Sequence, residues 1–87
     1  MKIQIDDNYQ IVSDSMQYIL QETKEVMEGE NKGLPYVTNV GYYGKIYSVL
    51  RSYKELQIRN SNVTTIKELM DLIKSLDEKI EALLKSN

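Results

Sequence analysis

Chemistry in this chain would have to start from Asp6, Asp7 and Asp14, the carboxylates whose closeness in sequence suggests a metal or acid–base site. Converging carboxylates can hold Mg²⁺ against a phosphate, or divide general acid and general base work between them. Asp6 and Asp7, however, stand in the run Asp6-Asp7-Asn8, whose side chains hydrogen-bond the local backbone and favour turns. The turn is therefore the preferred reading. The chain has no histidine and no cysteine. That removes the commonest general base, the commonest metal ligand, thiolate metal sites, disulfides and every Ser-His or Cys-His nucleophile pair. No glycine-rich loop opens a helix in a phosphate-binding pattern. Gly41 and Gly44 bracket two tyrosines, which is the wrong chemistry for cradling phosphate. No catalytic residue, no metal ligand and no cofactor is assigned, and the chain is expected not to be an enzyme.

The other chemistry-bearing cluster is aromatic and basic. Five of the seven tyrosines, Tyr36, Tyr42, Tyr43, Tyr47 and Tyr53, lie in the middle third, interleaved with Lys45, Arg51, Lys54 and Arg59. Rings beside cations stack and hold single-stranded nucleic acid, and the same residue types are preferred at protein–protein hot spots. The candidate binding residues are Tyr42, Tyr43, Lys45, Tyr47, Arg51, Lys54 and Arg59. Because the chain has neither tryptophan nor phenylalanine, at least three of the five tyrosines are expected to be structural.

Charge is unevenly spread over the 87 residues. Residues 1–30 carry seven acids and two bases, residues 31–59 five bases and one acid, and residues 60–87 four bases and five acids. The net charge is −2, whereas a dedicated nucleic-acid binder usually carries net positive charge. Either the acidic and basic segments neutralise each other across the fold, or they serve different partners. The length suits one domain, 1–87, whose own core gives modest stability and which would gain from a partner. No apolar run approaches the roughly 20 residues that span a bilayer. The start of the chain lacks the apolar stretch of a signal peptide. A reducing cytoplasm fits the absence of cysteine.

The elements that must position these residues change period once. Residues 2–6 alternate as a half-buried strand, and residues 9–13 follow as a second strand across the Asp6-Asp7-Asn8 turn. Residues 14–28 fit two templates. Met16, Ile19, Leu20, Thr23 and Met27 fall at helical spacing, with Ser13 or Asp14 as a cap, while Tyr18, Leu20, Glu22, Lys24 and Val26 alternate as in a strand. Glu28-Gly29-Glu30-Asn31-Lys32-Gly33 is a loop. Residues 36–43 are rich in β-formers and need an antiparallel neighbour, which residues 16–26 could supply.

Gly44 marks the change to period 3.6. A helix over 44–59 carries the stripe Ile46, Val49, Leu50, Tyr53 and Leu56. A second helix over 65–85 opens on a capping box in which the Thr65 hydroxyl takes the Glu68 amide and the Glu68 carboxylate reaches back to the Thr65 amide. Along it, Ile66, Leu69, Ile73, Leu76, Ile80 and Leu83 are spaced as a strict heptad seam, with isoleucine at a and leucine at d. Under three heptads are too few for an isolated coiled coil. The seam either folds back on its own chain or meets a second copy. In the latter case Ile73, Leu76, Ile80, Leu83 and Leu84 form the homodimer interface.

The succession Tyr9-Gln10-Ile11-Val12-Ser13-Asp14, Tyr18-Ile19-Leu20-Gln21, Val40-Gly41-Tyr42-Tyr43, Ile58-Arg59 and Thr65-Ile66-Lys67-Glu68-Leu69 resembles an uncharacterised family of small proteins of phages and prophages of Gram-positive bacteria. The resemblance covers nearly the whole chain. It implies strands first and a helical pair last, which makes residues 16–26 a strand. The expected fold is thus α+β: a small antiparallel sheet of four strands followed by two helices. The resemblance brings no catalytic residues. It implies a phage accessory protein of the host cytoplasm that acts by binding a host protein, as an inhibitor of a host defence system. The alternative is a nucleic-acid-binding accessory protein that uses the basic, tyrosine-rich segment 36–59.

Overall fold

The computed structural model describes residues 1–86. Its elements are β1 (Lys2–Gln4), β2 (Tyr9–Ser13), β3 (Tyr18–Glu25), β4 (Pro35–Tyr43), α1 (Ile46–Arg59) and α2 (Ile66–Ser86). The fold is α+β, with four strands and then two helices. The strands form one antiparallel meander in the order β1-β2-β3-β4. The chain falls into two compact units, one from Met1 to Val49 and one from Leu50 onward.

In the first unit each strand pairs with its neighbour in sequence, and the register sorts side chains by face. Ile3 pairs with Ile11, Ile11 with Leu20 and Leu20 with Gly41. These share one face with Tyr9 and Tyr18, because side chains alternate along a strand. This is the core face: Ile11 and Leu20 are fully buried and Tyr9 nearly so. Burial pushes the Tyr9 phenol upward from its ordinary pKa, with help from the nearby carboxylates of Glu22 and Asp6. It therefore stays a neutral donor against Glu22, its cross-strand partner.

The connections explain where the strands stop. Strand β1 ends at Gln4 rather than residue 6, because Ile5 and Asp6 turn and donate both backbone amides to the Tyr9 carbonyl, at 3.0 and 3.3 Å. The Asp6 carboxylate accepts the amides of Asn8 and Tyr9, each at 2.8 Å. Asp14 repeats the device, accepting from Met16 at 2.8 Å and Gln17 at 2.9 Å. Met16 and Gln17 thus belong to a turn, and β3 starts at Tyr18 rather than 16. In the third connection the Val26 amide donates to the Leu34 carbonyl at 3.0 Å, and the Gly33 amide to the Val26 carbonyl at 2.9 Å. Gly33 has φ +89°, a conformation that a side chain would strain.

The register slips once, between Leu20 and Gln21. Gly41 faces Leu20 and Asn39 faces Gln21, which leaves Val40 as the extra residue of a β-bulge. The Tyr43 side chain folds back over Gly41, and a Cβ placed on that glycine would meet ring carbons of Tyr43 at 2.8 and 2.9 Å.

In the second unit Tyr53 is fully buried, and Leu50 and Leu76 nearly so. Lys54 Nζ lies 2.6 Å from Asp77 Oδ1. Lys79 Nζ donates to Tyr53 Oη at 2.9 Å, with the ammonium 5.6 Å from the ring centroid. These contacts join α1 to α2. Helix α1 begins at Ile46, two residues later than the period suggests. The predicted α1 stripe is buried or half-buried throughout. The capping box forms with one change: Thr65 Oγ1 takes the Glu68 amide at 3.1 Å, but the Glu68 carboxylate takes the amide of Thr64 at 3.0 Å, not that of Thr65.

Candidate functional site

A strand buried on one side presents every second residue to solvent on the other. On the open face of the sheet, Val12, Ile19 and Tyr42 stand in one row, and Gln10, Gln21 and Asn39 in the next. Thr23 and Val37 form a third row. Tyr42 is 57% exposed and Val37 49%. Val12 and Ile19 are half-buried.

The middle row is hydrogen-bonded end to end. Gln10 Nε2 donates to Gln21 Oε1 at 2.7 Å, Gln21 Nε2 to Asn39 Oδ1 at 2.9 Å, and Asn39 Nδ2 to Tyr42 Oη at 2.9 Å. Every amide donates in the same direction across three strands, and the Tyr42 hydroxyl closes the series at the sheet edge. Gln10 is buried despite its polarity, which its place in the series satisfies. On β1 the first row continues into Lys2, opposite Val12, and the second into Gln4, opposite Gln10, so Lys2 is the one charged side chain of these three rows. Such a surface can offer ring and aliphatic contact together with amide hydrogen bonds.

The edges of the sheet differ. Strand β1 has three residues and begins on Lys2, and both shortness and lysine discourage further pairing. Strand β4 has nine residues, Pro35–Tyr43, without one charge. Along it Tyr36 is 42% and Val40 39% exposed, and Leu34 just before it is 55% exposed.

The candidate residues from the sequence are scattered by these elements. Tyr42 is on the open face. Tyr43 is on the core face, half-buried and paired with Tyr18. The strand thus turns these two neighbours to opposite sides. Lys45 is exposed just before α1, and Tyr47 is 70% exposed in its first turn. Arg51 and Arg59 are exposed on α1, while Lys54 is held by Asp77.

The expectation that at least three of the five clustered tyrosines would be structural fails. Tyr53 is buried and Tyr43 half-buried, but Tyr36, Tyr42 and Tyr47 are exposed. Tyr36 and Tyr42 stand on an edge strand, which lacks on one side the cover that a central strand has, and Tyr47 is exposed in the first turn of α1.

On α2, Leu76 is buried, Ile73, Ile80 and Leu83 are half-buried and Leu84 is exposed. The barest apolar side chains stand at the other end of that helix, at Ile66 (75%) and Met70 (60%). Among the described residues no three His, Cys, Asp or Glu gather where they could hold a metal ion. The Asp14 carboxyl lies below its usual range, chiefly because the Met16 amide donates to it. That is the signature of a turn.

These hydrogen-bonded rows, charged only at Lys2, and the uncharged edge strand β4 belong to a small α+β protein. Its relatives are small phage proteins. Over 79 residues, 91% of this chain and 87% of the relative, it is 28% identical to the uncharacterized 10.2 kDa protein in the GpA 5′ region of Escherichia phage P2. Over 76 residues, 87% of this chain and 84% of the relative, it is 29% identical to the uncharacterized 10.4 kDa protein in the GpA 5′ region of Escherichia phage 186. The phage part of the family resemblance stands on these two. Both are Escherichia phages, so a restriction to Gram-positive hosts does not. No family model matches the chain, and no solved structure matches it. No helix among the described residues is long and apolar enough to cross a membrane.

Proposed function

We propose that this chain is a non-catalytic phage accessory protein that binds a protein of the host cytoplasm, and that the target is part of a host defence system which the bound chain inhibits. The observation that supports binding is the open sheet face: Tyr42, Val37, Ile19 and Val12 around a satisfied amide series, in rows whose single charge is Lys2 at the β1 end. Tyrosine in such a setting is a favoured anchor at protein interfaces. The phage relatives supply the context for a host target. The seven acids of residues 1–30 suit a target with a basic channel, since complementary potentials speed and orient encounter.

The test is recovery of a host protein on the tagged chain from nuclease-treated lysate, repeated with Tyr42→Ala. A protein recovered by the native chain, lost with Tyr42→Ala and inactivated by the purified native chain supports the reading. Recovery that disappears on nuclease treatment overturns it.

A second reading, nucleic-acid binding through segment 36–59, has its own observation: Lys45, Tyr47, Arg51 and Arg59 are all exposed. Phosphate contacts release counterions, so affinity for single-stranded oligonucleotides would fall steeply with salt. Arg51→Ala would weaken it. Tyr43 and Lys54 are otherwise engaged and contribute little to it.

A further inference from the structure

Four exposed apolar side chains of the first unit, Leu34, Tyr36, Val37 and Val40, lie on or beside the one sheet edge that is long and uncharged. We propose that this edge pairs with a second copy of the chain, antiparallel about a two-fold axis at Val37, joining two four-stranded sheets into one of eight. This goes beyond the host-binding reading, which uses side chains of the open face, Val37 among them, and not the backbone edge of β4.

An unpaired strand presents a row of amides and carbonyls ready to template another strand, and folded proteins normally blunt it. Here β1 is blunted and β4 is not. Two copies of β4 meet without charge repulsion, because like charges opposite one another destabilise a strand pair and residues 35–43 carry none.

The bulge sets the extent of pairing. It ends the regular edge at Val40, since a bulge bends the strand and interrupts its ladder. The straight segment available is 35–39. A two-fold axis through that segment falls on Val37, setting Tyr36 opposite Thr38 of the second copy and Asn39 opposite Pro35. A shift by one residue would set core-face side chains beside open-face side chains across the junction, so this register keeps both core faces on one side. Val37 meets its own counterpart at the axis and Tyr36 meets Thr38, while Leu34 and Val40 flank the paired segment at each end. An aromatic and a β-branched residue paired across strands, as Tyr36 and Thr38 would be, add to the association.

The sequence offers a competing seam on α2, and the test separates the two. Solution mass by light scattering is measured in the high-micromolar range for the native chain, for Val37→Lys and for Ile66→Lys combined with Met70→Lys, with circular dichroism to verify folding. The native chain is expected to be a dimer. Val37→Lys, which sets two ammonium groups face to face, is expected to raise the dissociation constant roughly tenfold or more. The α2 pair is expected to leave it unchanged. A monomeric native chain overturns the proposal, and so does a dimer that survives Val37→Lys or dissociates only in the α2 variant.

Because the chain has no cysteine, Val37→Cys supplies a single thiol and decides the matter should Val37→Lys fail to fold. A disulfide-linked dimer forming faster than that of Leu84→Cys supports pairing at β4, and the reverse order overturns it. Failure of a host protein to bind leaves these readings untouched, so the two proposals fail separately.

Discussion

Replacing Gln21 by leucine cuts the amide series at its middle. Two hydrogen bonds are lost, at 2.7 Å from Gln10 and 2.9 Å to Asn39. Each is worth about 1 kcal/mol net, and a buried donor left without an acceptor costs about 1–3 kcal/mol. The two ends are not equal. Asn39 is exposed and water replaces Gln21 there, whereas Gln10 is buried. Most of the cost therefore falls on the Gln10 side, and Gln21→Leu should destabilise by about 2 kcal/mol. Gln10→Leu removes the buried amide together with its bond, and the half-exposed Gln21 recovers with water, so its cost should stay below about 1 kcal/mol. The double variant should cost less than the sum of the two singles by about 1 kcal/mol, the coupling expected of side chains in one network. Urea denaturation of the four proteins measures the cycle. Thermal melting should agree, since about 1 kcal/mol moves the midpoint by about 4–8 °C in a domain of this size. If Gln10→Leu costs as much as Gln21→Leu, or if the cycle is additive within about 0.3 kcal/mol, the series is a surface decoration and the reasoning fails.

Three further outcomes follow from the geometry. Thr65→Ala removes the acceptor for the Glu68 amide and should cost about 1 kcal/mol in urea denaturation, more than Thr64→Ala, whose backbone amide still meets Glu68. Tyr53→Phe takes the phenol oxygen from Lys79 and should cost about 1–2 kcal/mol, read by the same method, because the ring is fully buried and the hydrogen bond is charge-assisted. Asp14 has its carboxyl held below the ordinary value, first by the Met16 amide. Its contribution is therefore complete above the unfolded carboxyl pKa of about 3.9 and is lost as pH falls through the lower folded value. Melting temperature followed from pH 5 downward should drop less steeply for Asp14→Asn than for the native chain, and equal slopes would remove Asp14 from the acid response.

Much of the fold could be read from period alone. The alternation through residues 2–13 and the stripe on α1 each encode a buried face directly, and both appear, with β1 stopping at Gln4 and α1 starting at Ile46. Strand β3 was legible only with outside help. Ile19 and Leu20 satisfy a helical stripe as well as an alternation, and it is pairing on both sides, with Val12 and with Tyr42, that settles the residue's state. The bulge at Val40 left no mark, since an extra residue in one strand is visible only against its partner. The open face was missed for a related reason. Gln10, Gln21 and Asn39 are 11 and 18 residues apart, and three ordinary amides become a network only once the register aligns them. The Asp6 turn was legible because its bonds are local, two and three residues away, whereas Asp14, which the sequence offers as a helix cap, makes the same two bonds in a turn. Helix α2 shows its seam in the sequence, but the seam itself does not reveal which turns its own chain reaches.

The meander also dictates an order of assembly. No strand waits for a distant segment, since each pairs with the one made just before it. The first two connections have four residues each and the third has nine. Closing the longer loop costs about 0.7 kcal/mol more than closing a short one, by the logarithmic dependence on length. Small separations between paired segments favour fast folding. Strand β4 is then the last strand laid down, onto a three-stranded template already complete as the chain leaves the ribosome. The uncharged edge accordingly comes into being only at the final step of sheet formation, so the stretch most prone to stray pairing spends the least time without its proper neighbour.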